Sequence, residues 1–161
     1  MLDHIGSTSV PGLAAKPYVD LQVRISPLPG EEPLRERLQP LGLVRSHGSR
    51  RDSPGVYADV PRRGNDQVPL EVWEKRLYTH PEQNLILHVR RADSPFGRYT
   101  VWFRDWLREH ATARARYETT KRQLSAQNAG KGDYDDYTRA KSAFLDEVEQ
   151  EFVAWAKARS H

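Results

Sequence analysis

From residue 18 to residue 25 the chain alternates strictly. Val19, Leu21, Val23 and Ile25 fall on one face, and Tyr18, Asp20, Gln22 and Arg24 on the other. A period of two predicts a half-buried strand. Pro27-Leu28-Pro29-Gly30 ends it, and Pro33 suits the first turn of a helix that carries Leu34, Leu38 and Leu41 and stops near Gly42. Leu43 and Val44 begin a second strand, 46–54 reads as a polar loop, 56–60 as a short strand and 61–66 as a turn. Two further strands are expected over 68–78 and 84–89, joined near His80-Pro81.

In the second half the period lengthens. Trp102, Phe103, Trp106 and Leu107 recur at helical spacing within 99–110, and Ala113, Tyr117, Lys121 and Leu124 do so within 111–127. A glycine-bearing break over 128–133 follows, with Asp133 placed as an N-cap. Tyr137, Ala140, Phe144, Val148, Phe152 and Trp155 then form one stripe of a long helix. The Trp102/Phe103/Trp106 cluster reads as core. The expected class is α+β: one domain over 1–161, with a mixed sheet and one helix in 1–92 and a C-terminal helical part in 93–161. No internal repeat or second-domain linker interrupts it.

Composition narrows the functional classes. The 161 residues are 37% hydrophobic and 29% charged, enough for one modest core under a heavily charged surface. No apolar run approaches the ~20 residues of a membrane span, and no charged-then-apolar leader is present. The absence of cysteine excludes disulfides and thiol chemistry and fits a cytoplasmic protein. The net charge is only +3, and acidic residues are interleaved throughout. Arginine pairs at Arg50-Arg51, Arg62-Arg63 and Arg90-Arg91 suit phosphate, but as solvated loop tips and strand ends they do not make nucleic acid the expected partner.

The richest segment is residues 4–23. Gly6 lets the backbone approach a ligand, and Ser7, Thr8 and Ser9 supply hydroxyls and consecutive N–H groups for phosphate oxygens. Asp20 and Gln22, two apart on a strand, lie roughly 6.5–7 Å from each other and address one site. A carboxylate in mid-strand is unfavourable in a buried setting unless it is paired or metal-bound. A third acidic position has two candidates, which the pattern leaves open: Glu71, placed in a strand that could neighbour the first, and His88, which shares a face with Ile86 and Arg90. Lys75 and Arg76 lie on opposite faces, so at most one lines the site. Arg98 sits near a helix start, where orphan N–H groups hold anions. Tyr117/Lys121 and Tyr137/Lys141 repeat a Tyr-x-x-x-Lys spacing, which stacks each pair on one helical face.

Gly6-Ser7 ahead of a strand bearing Asp20 resembles the nucleotidyltransferase signature of Gly-Ser followed by Asp-x-Asp or Asp-x-Glu. The fuller string His4-Ile5-Gly6-Ser7-Thr8-Ser9-Val10-Pro11-Gly12-Leu13 is similar to the GrpB family of that superfamily, including the domain that follows dephospho-CoA kinase in some actinobacterial chains. The resemblance recurs at Trp73-Glu74-Lys75-Arg76-Leu77, Leu87-His88-Val89-Arg90, Ser94-Pro95-Phe96-Gly97-Arg98-Tyr99 and Phe103-Arg104-Asp105-Trp106-Leu107-Arg108, and continues through 117–121 and 137–141. It implies a nucleotidyltransferase-like mixed sheet followed by a C-terminal helical subdomain. It also implies a nucleotide or other phosphorylated small molecule as ligand, with a fused or associated CoA-pathway kinase as a partner. Under it, Gly6, Ser7, Thr8, Ser9, Lys16, Gln22, Lys75, Arg98, Tyr117, Lys121, Tyr137 and Lys141 would bind the ligand, with Asp20, Glu71 and His88 catalytic. Asp20 and Glu71 would hold Mg²⁺. Gln22 replaces the superfamily's second carboxylate, and an amide oxygen is a weaker Mg²⁺ ligand. Two functions therefore compete: Mg²⁺-dependent nucleotidyl transfer, and a catalytically inactive module that binds a ligand or assists a fused kinase to fold.

Overall fold

In a computed structural model, residues 1–48, 50–62, 64–131 and 135–159 are described. Asp133, the expected N-cap, and Arg63 lie outside them. The strands are β1 (Leu2–Ile5), β2 (Val19–Ile25), β3 (Val44–Arg45), β4 (Lys75–His80) and β5 (Leu85–Arg91). The helices are α1 (Glu31–Leu38), α2 (Pro95–Glu109), α3 (Ala111–Gln127) and α4 (Asp135–Ala158). One sheet runs in the order β1-β2-β5-β4-β3. β2 and β5 are parallel neighbours, and the remaining pairs are antiparallel. The class is mixed α+β with α2, α3 and α4 gathered at the C-terminal end, as the period change predicts.

The sheet has two unlike faces because its strands keep their alternation. Leu21, Val23, Leu85, Leu87, Val89 and Tyr78 turn to one side, where Leu34 and Leu38 of α1 and Leu43 cover them. Asp20, Gln22, His88, Arg90 and Lys75 share the opposite side, since the register sets Gln22 beside His88 and Lys75 beside Arg90. Over this polar face lie α2, α3 and α4, which form their own core. Trp106, Leu107, Tyr117, Phe144, Val148 and Phe152 are buried there with Val10 and Leu13 of the segment after β1. The stripe Phe144, Val148, Phe152 is spaced by four, so one side of α4 is apolar throughout. Phe103 meets Tyr117 and Phe152 edge-on, with ring centroids 5.1 and 5.5 Å apart, a geometry the ring quadrupoles favour.

Several expectations need correction. The strand expected over 68–78 exists only as β4. Pro69 starts a 3₁₀ turn, Leu70–Trp73, that leaves Leu70 exposed while burying Trp73. Residues 56–60 do not form a strand; the segment meets the sheet edge through the isolated Ala58–Glu74 bridge and a Lys75 N–H to Tyr57 carbonyl bond, and sends Asp59 over the polar face. β1, which the pattern did not announce, pairs with β2 and covers its edge. The arginine pairs are not solvated tips throughout. Arg62 and Arg90 are buried; Arg62 pairs with Asp146 at 2.6 Å and Glu149 at 3.4 Å on α4, which ties the 46–74 loop region to that helix.

Candidate functional site

Asp20 occupies the N-terminal end of β2, beside Ile5 of β1 and Ile86 of β5. The preceding turn makes room for it. Gly6 has φ +72°, and a Cβ there would stand 2.5 Å from Asp20 Oδ2, so glycine is required on both conformational and steric grounds. Ser7–Ser9 forms a 3₁₀ turn, and the three hydroxyls then part company. Thr8 Oγ1 donates to the Tyr18 carbonyl and lies 3.0 Å from His4 Nε2. Ser9 is buried and donates to the Gly6 carbonyl at 2.5 Å. Only Ser7 faces the recess. Thr8 and Ser9 hold the turn together instead of offering hydroxyls to a phosphate.

The recess has a volume of about 580 Å³ and lies between the N-terminal turn, the start of β2 and β5, and helices α3 and α4. Lys16, Lys121, Arg122 and Lys141 line it, and Asp20 is the one carboxylate among its described lining residues. Lys121 Nζ donates to Ser7 Oγ at 2.7 Å and to the Ala14 carbonyl at 2.8 Å. Its ammonium also sits 5.3 Å from the ring centre of Tyr117. Partial burial pushes the Lys121 ammonium down to about 8, and the nearby Lys141 charge pushes in the same direction. Lys16 and Lys141 stand 5.7 and 6.0 Å from the Tyr137 ring centre. Both Tyr-x-x-x-Lys pairs thus converge here, although burial of Tyr117 drives its hydroxyl up to about 12 and leaves it as packing beside Ser7.

Behind Asp20 runs a chain of buried polar groups. His88 Nε2 donates to Asp20 Oδ1 at 3.3 Å, and Lys75 Nζ donates to His88 Nδ1 at 3.0 Å. Lys75 in turn pairs with Asp59 at 3.2 Å, while Arg90 grips Asp59 through Nε at 2.7 Å and Nη2 at 3.0 Å. Burial opposes ionisation of Asp59, but Arg90 and then Lys75 outweigh it and hold its carboxyl below the ordinary range. Lys75 is pushed down to about 8, chiefly by burial and against the pull of Asp59. Burial, with Lys75 and Arg90 beside it, keeps His88 far below its usual value, so the imidazole is neutral near pH 7. Burial raises Asp20, and Lys141 and Lys75 partly offset it.

Three expected site residues lie elsewhere. Gln22 is fully buried: its Oε1 accepts from Arg90 and Thr100, each at 3.1 Å, and its Nε2 donates to Asp3 and to the Gly97 carbonyl. Both ends of the amide are occupied, so it cannot turn to a metal. Glu71 is exposed in the 3₁₀ turn, with its field acting on Arg91. Arg91 lies five register positions along β5 from Ile86, roughly 16 Å from the Asp20 end at strand spacing. Arg98 is exposed on α2 beyond that same far end. Lys75 and His88 are on the right face but stand behind Asp20, not on the recess wall. Tyr18 and Ser125, which do line it, were not expected; Tyr18 shares the parity of Asp20, and Ser125 follows Lys121 by one helical turn.

This geometry supplies only part of the expected metal centre. Of the residues assigned to Mg²⁺ only Asp20 is in place, and no cluster of three carboxylate or imidazole donors exists among the described residues. Mg²⁺ holds one or two carboxylates plus ligand phosphates, and this set falls at the bottom of that range.

A mixed sheet followed by C-terminal helices is found among known proteins. The GrpB protein family profile matches residues 1–151, and the chain belongs to that family. A crystal structure of the conserved protein GrpB from Enterococcus faecalis superposes with a TM-score of 0.68 at 25% identity, covering 97% of this chain and 81% of that one. A dephospho-CoA kinase of Mycolicibacterium paratuberculosis is 30% identical over 96% of this chain but only 39% of its own length. A UPF0157 protein of Streptomyces coelicolor is 35% identical over 88% of this chain and 62% of its own. The chain thus spans about two fifths of the kinases it matches, and those kinases carry a GrpB-like region within a longer polypeptide.

Proposed function

We propose that the chain is a ligand-binding module whose recess takes a nucleotide or another phosphorylated small molecule without needing a divalent cation. The observation that carries this reading is the gathering of Lys16, Lys121, Arg122 and Lys141 on the recess wall, where Asp20 is the one carboxylate among the described lining residues and Glu118, paired with Arg122 at 2.6 Å, stands beside it. Cations supplied by the protein do for the phosphate charge what Mg²⁺ does in sites rich in carboxylates. Tyr137 adds an aromatic ring, flanked by the Lys16 and Lys141 ammonium groups, to the wall that a base would meet. Kinship with dephospho-CoA kinases supports the same reading, because dephospho-CoA is itself a nucleotide-bearing phosphoester, and it makes association with a CoA-pathway kinase the natural partner proposal. No helix among the described residues is long and apolar enough to cross a membrane.

The test is a thermal-shift screen of nucleoside triphosphates, CoA and dephospho-CoA, with Mg²⁺ or with EDTA, on the wild type and Lys121→Ala. Stabilisation that persists in EDTA and is lost in Lys121→Ala is expected. Stabilisation that requires Mg²⁺ and vanishes in Asp20→Ala would overturn the metal-independent reading in favour of a metal-dependent site. Binding should also weaken as pH rises through about 8, where the free Lys121 ammonium loses its proton.

A further inference from the structure

A carboxylate at the floor of a phosphate-binding recess is costly, since it repels the anion that the lysines attract. Asp20 is nevertheless held there with care. Its Oδ1 accepts from His88 Nε2 at 3.3 Å, and the imidazole is fixed from behind by Lys75 at 3.0 Å from Nδ1. Lys75 itself is anchored on Asp59. Because Lys75 donates to Nδ1, the proton of the neutral ring stays on Nε2 and points at Asp20. Oδ2 lies against Gly6, whose missing Cβ alone allows it that position, and 27% of the Asp20 side chain remains open to the recess. One oxygen is thus spent on orientation and the other is left to accept.

We infer that Asp20 reads a hydroxyl group on the bound molecule, so that the recess selects a phosphate ester of a polyol, such as a nucleotide with its ribose intact, over bare oligophosphate. His88 and Lys75 are positioning residues that aim the carboxylate. This rests on the reading that the recess takes a phosphorylated ligand. It deepens that reading by assigning the carboxylate a role the lysines cannot fill: a site built around an acceptor discriminates strongly against analogues that lack the matching donor.

Calorimetric titration in EDTA with three probes tests it: adenosine 5′-diphosphate, its 2′,3′-dideoxy analogue and pyrophosphate. The wild type should bind the ribonucleotide on the order of tenfold or more tighter than the dideoxy analogue. Asp20→Asn is near-isosteric and can keep the His88 hydrogen bond through Oδ1, but it presents an NH₂ donor where Oδ2 presented an acceptor. It should erase the hydroxyl preference and bind pyrophosphate more tightly, having lost the opposing charge. His88→Leu should reduce the ratio of ribonucleotide to dideoxynucleotide affinity, and His88→Gln, which retains a donor, should restore it. Equal affinity of the wild type for both nucleotides would overturn the assignment of Asp20 while leaving the phosphate-binding reading intact. Failure of all three probes to bind would overturn both.

Discussion

Replacing Asp59 by Asn removes the sole anion between two buried cations. Its carboxylate makes three contacts, at 2.7 and 3.0 Å to Arg90 and 3.2 Å to Lys75, and all three side chains are about 2% exposed. Asparagine preserves the volume but neutralises the charge, leaving Lys75 and Arg90 facing one another in a medium of low polarity. Breaking a buried ion pair by removing one partner costs about 3–5 kcal/mol, a large share of the ~5–15 kcal/mol that holds a domain folded. For a chain of this length, that corresponds to a fall in Tm of roughly 6–20 °C.

The deficit also has a predictable pH dependence. In the wild type Lys75 titrates at about 8 in the folded state against 10.5 when unfolded. The unfolded chain therefore binds the extra proton between those values, and Lys75 makes stability rise with pH across that window. In Asp59→Asn the folded-state value drops further, so the variant begins to gain stability below pH 8, where the wild type does not. The gap between them should be widest near pH 6 and narrower at pH 8. Urea denaturation of both proteins at pH 6, 7 and 8 measures it. A loss below about 1 kcal/mol, or a gap that widens with pH, would refute the buried-network account.

Other perturbations address separate parts of the structure. Gly6→Ala would both strain a φ of +72° and drive a methyl into Asp20 Oδ2. We expect ~1–3 kcal/mol of destabilisation in chemical unfolding and loss of whatever ligand affinity depends on Asp20. Phe152, 2% exposed at the junction of α2, α3 and α4, should cost ~3–5 kcal/mol on truncation to Ala, measured by the same unfolding curves. In the wild type alone, the Lys75 shift predicts that stability rises between pH 8 and 10.5 by up to about 3 kcal/mol. Lys75→Met should flatten that rise relative to the wild type in parallel denaturation series.

How far the chain disclosed its own structure depended on whether a signal was periodic. The two-residue alternation of 18–25 fixed which side chains of β2 share a face, and the same parity placed His88 with Arg90. Parity put Asp20 and His88 among the candidates, but it left His88 and Glu71 as alternatives, and only the parallel pairing of β2 with β5 brings His88 against Asp20. The four-residue spacing of Phe144, Val148 and Phe152 likewise announced α4 and its inward side. Asp59 carried no such signal: it lies in a loop, and only the fold brings it to Lys75 and Arg90, so the network behind the site was invisible. Glu71 was misplaced because Leu70, Val72 and Trp73 mimic strand alternation, while Pro69 in fact opens a 3₁₀ turn. Gln22 and Asp20 share parity but not fate. Two positions along β2, the α2 backbone at Gly97 closes over the strand and consumes the amide, whereas at Asp20 the helices diverge and leave a recess.

The most direct measurement of the central claim is a ¹H–¹⁵N correlation titration of the wild type with adenosine 5′-diphosphate in EDTA. Saturable amide shifts concentrated in residues 6–18, 121–125 and 137–141, around the lysine-lined recess, are expected. Shifts that appear only once Mg²⁺ is added, or that map away from those three segments, would contradict that claim.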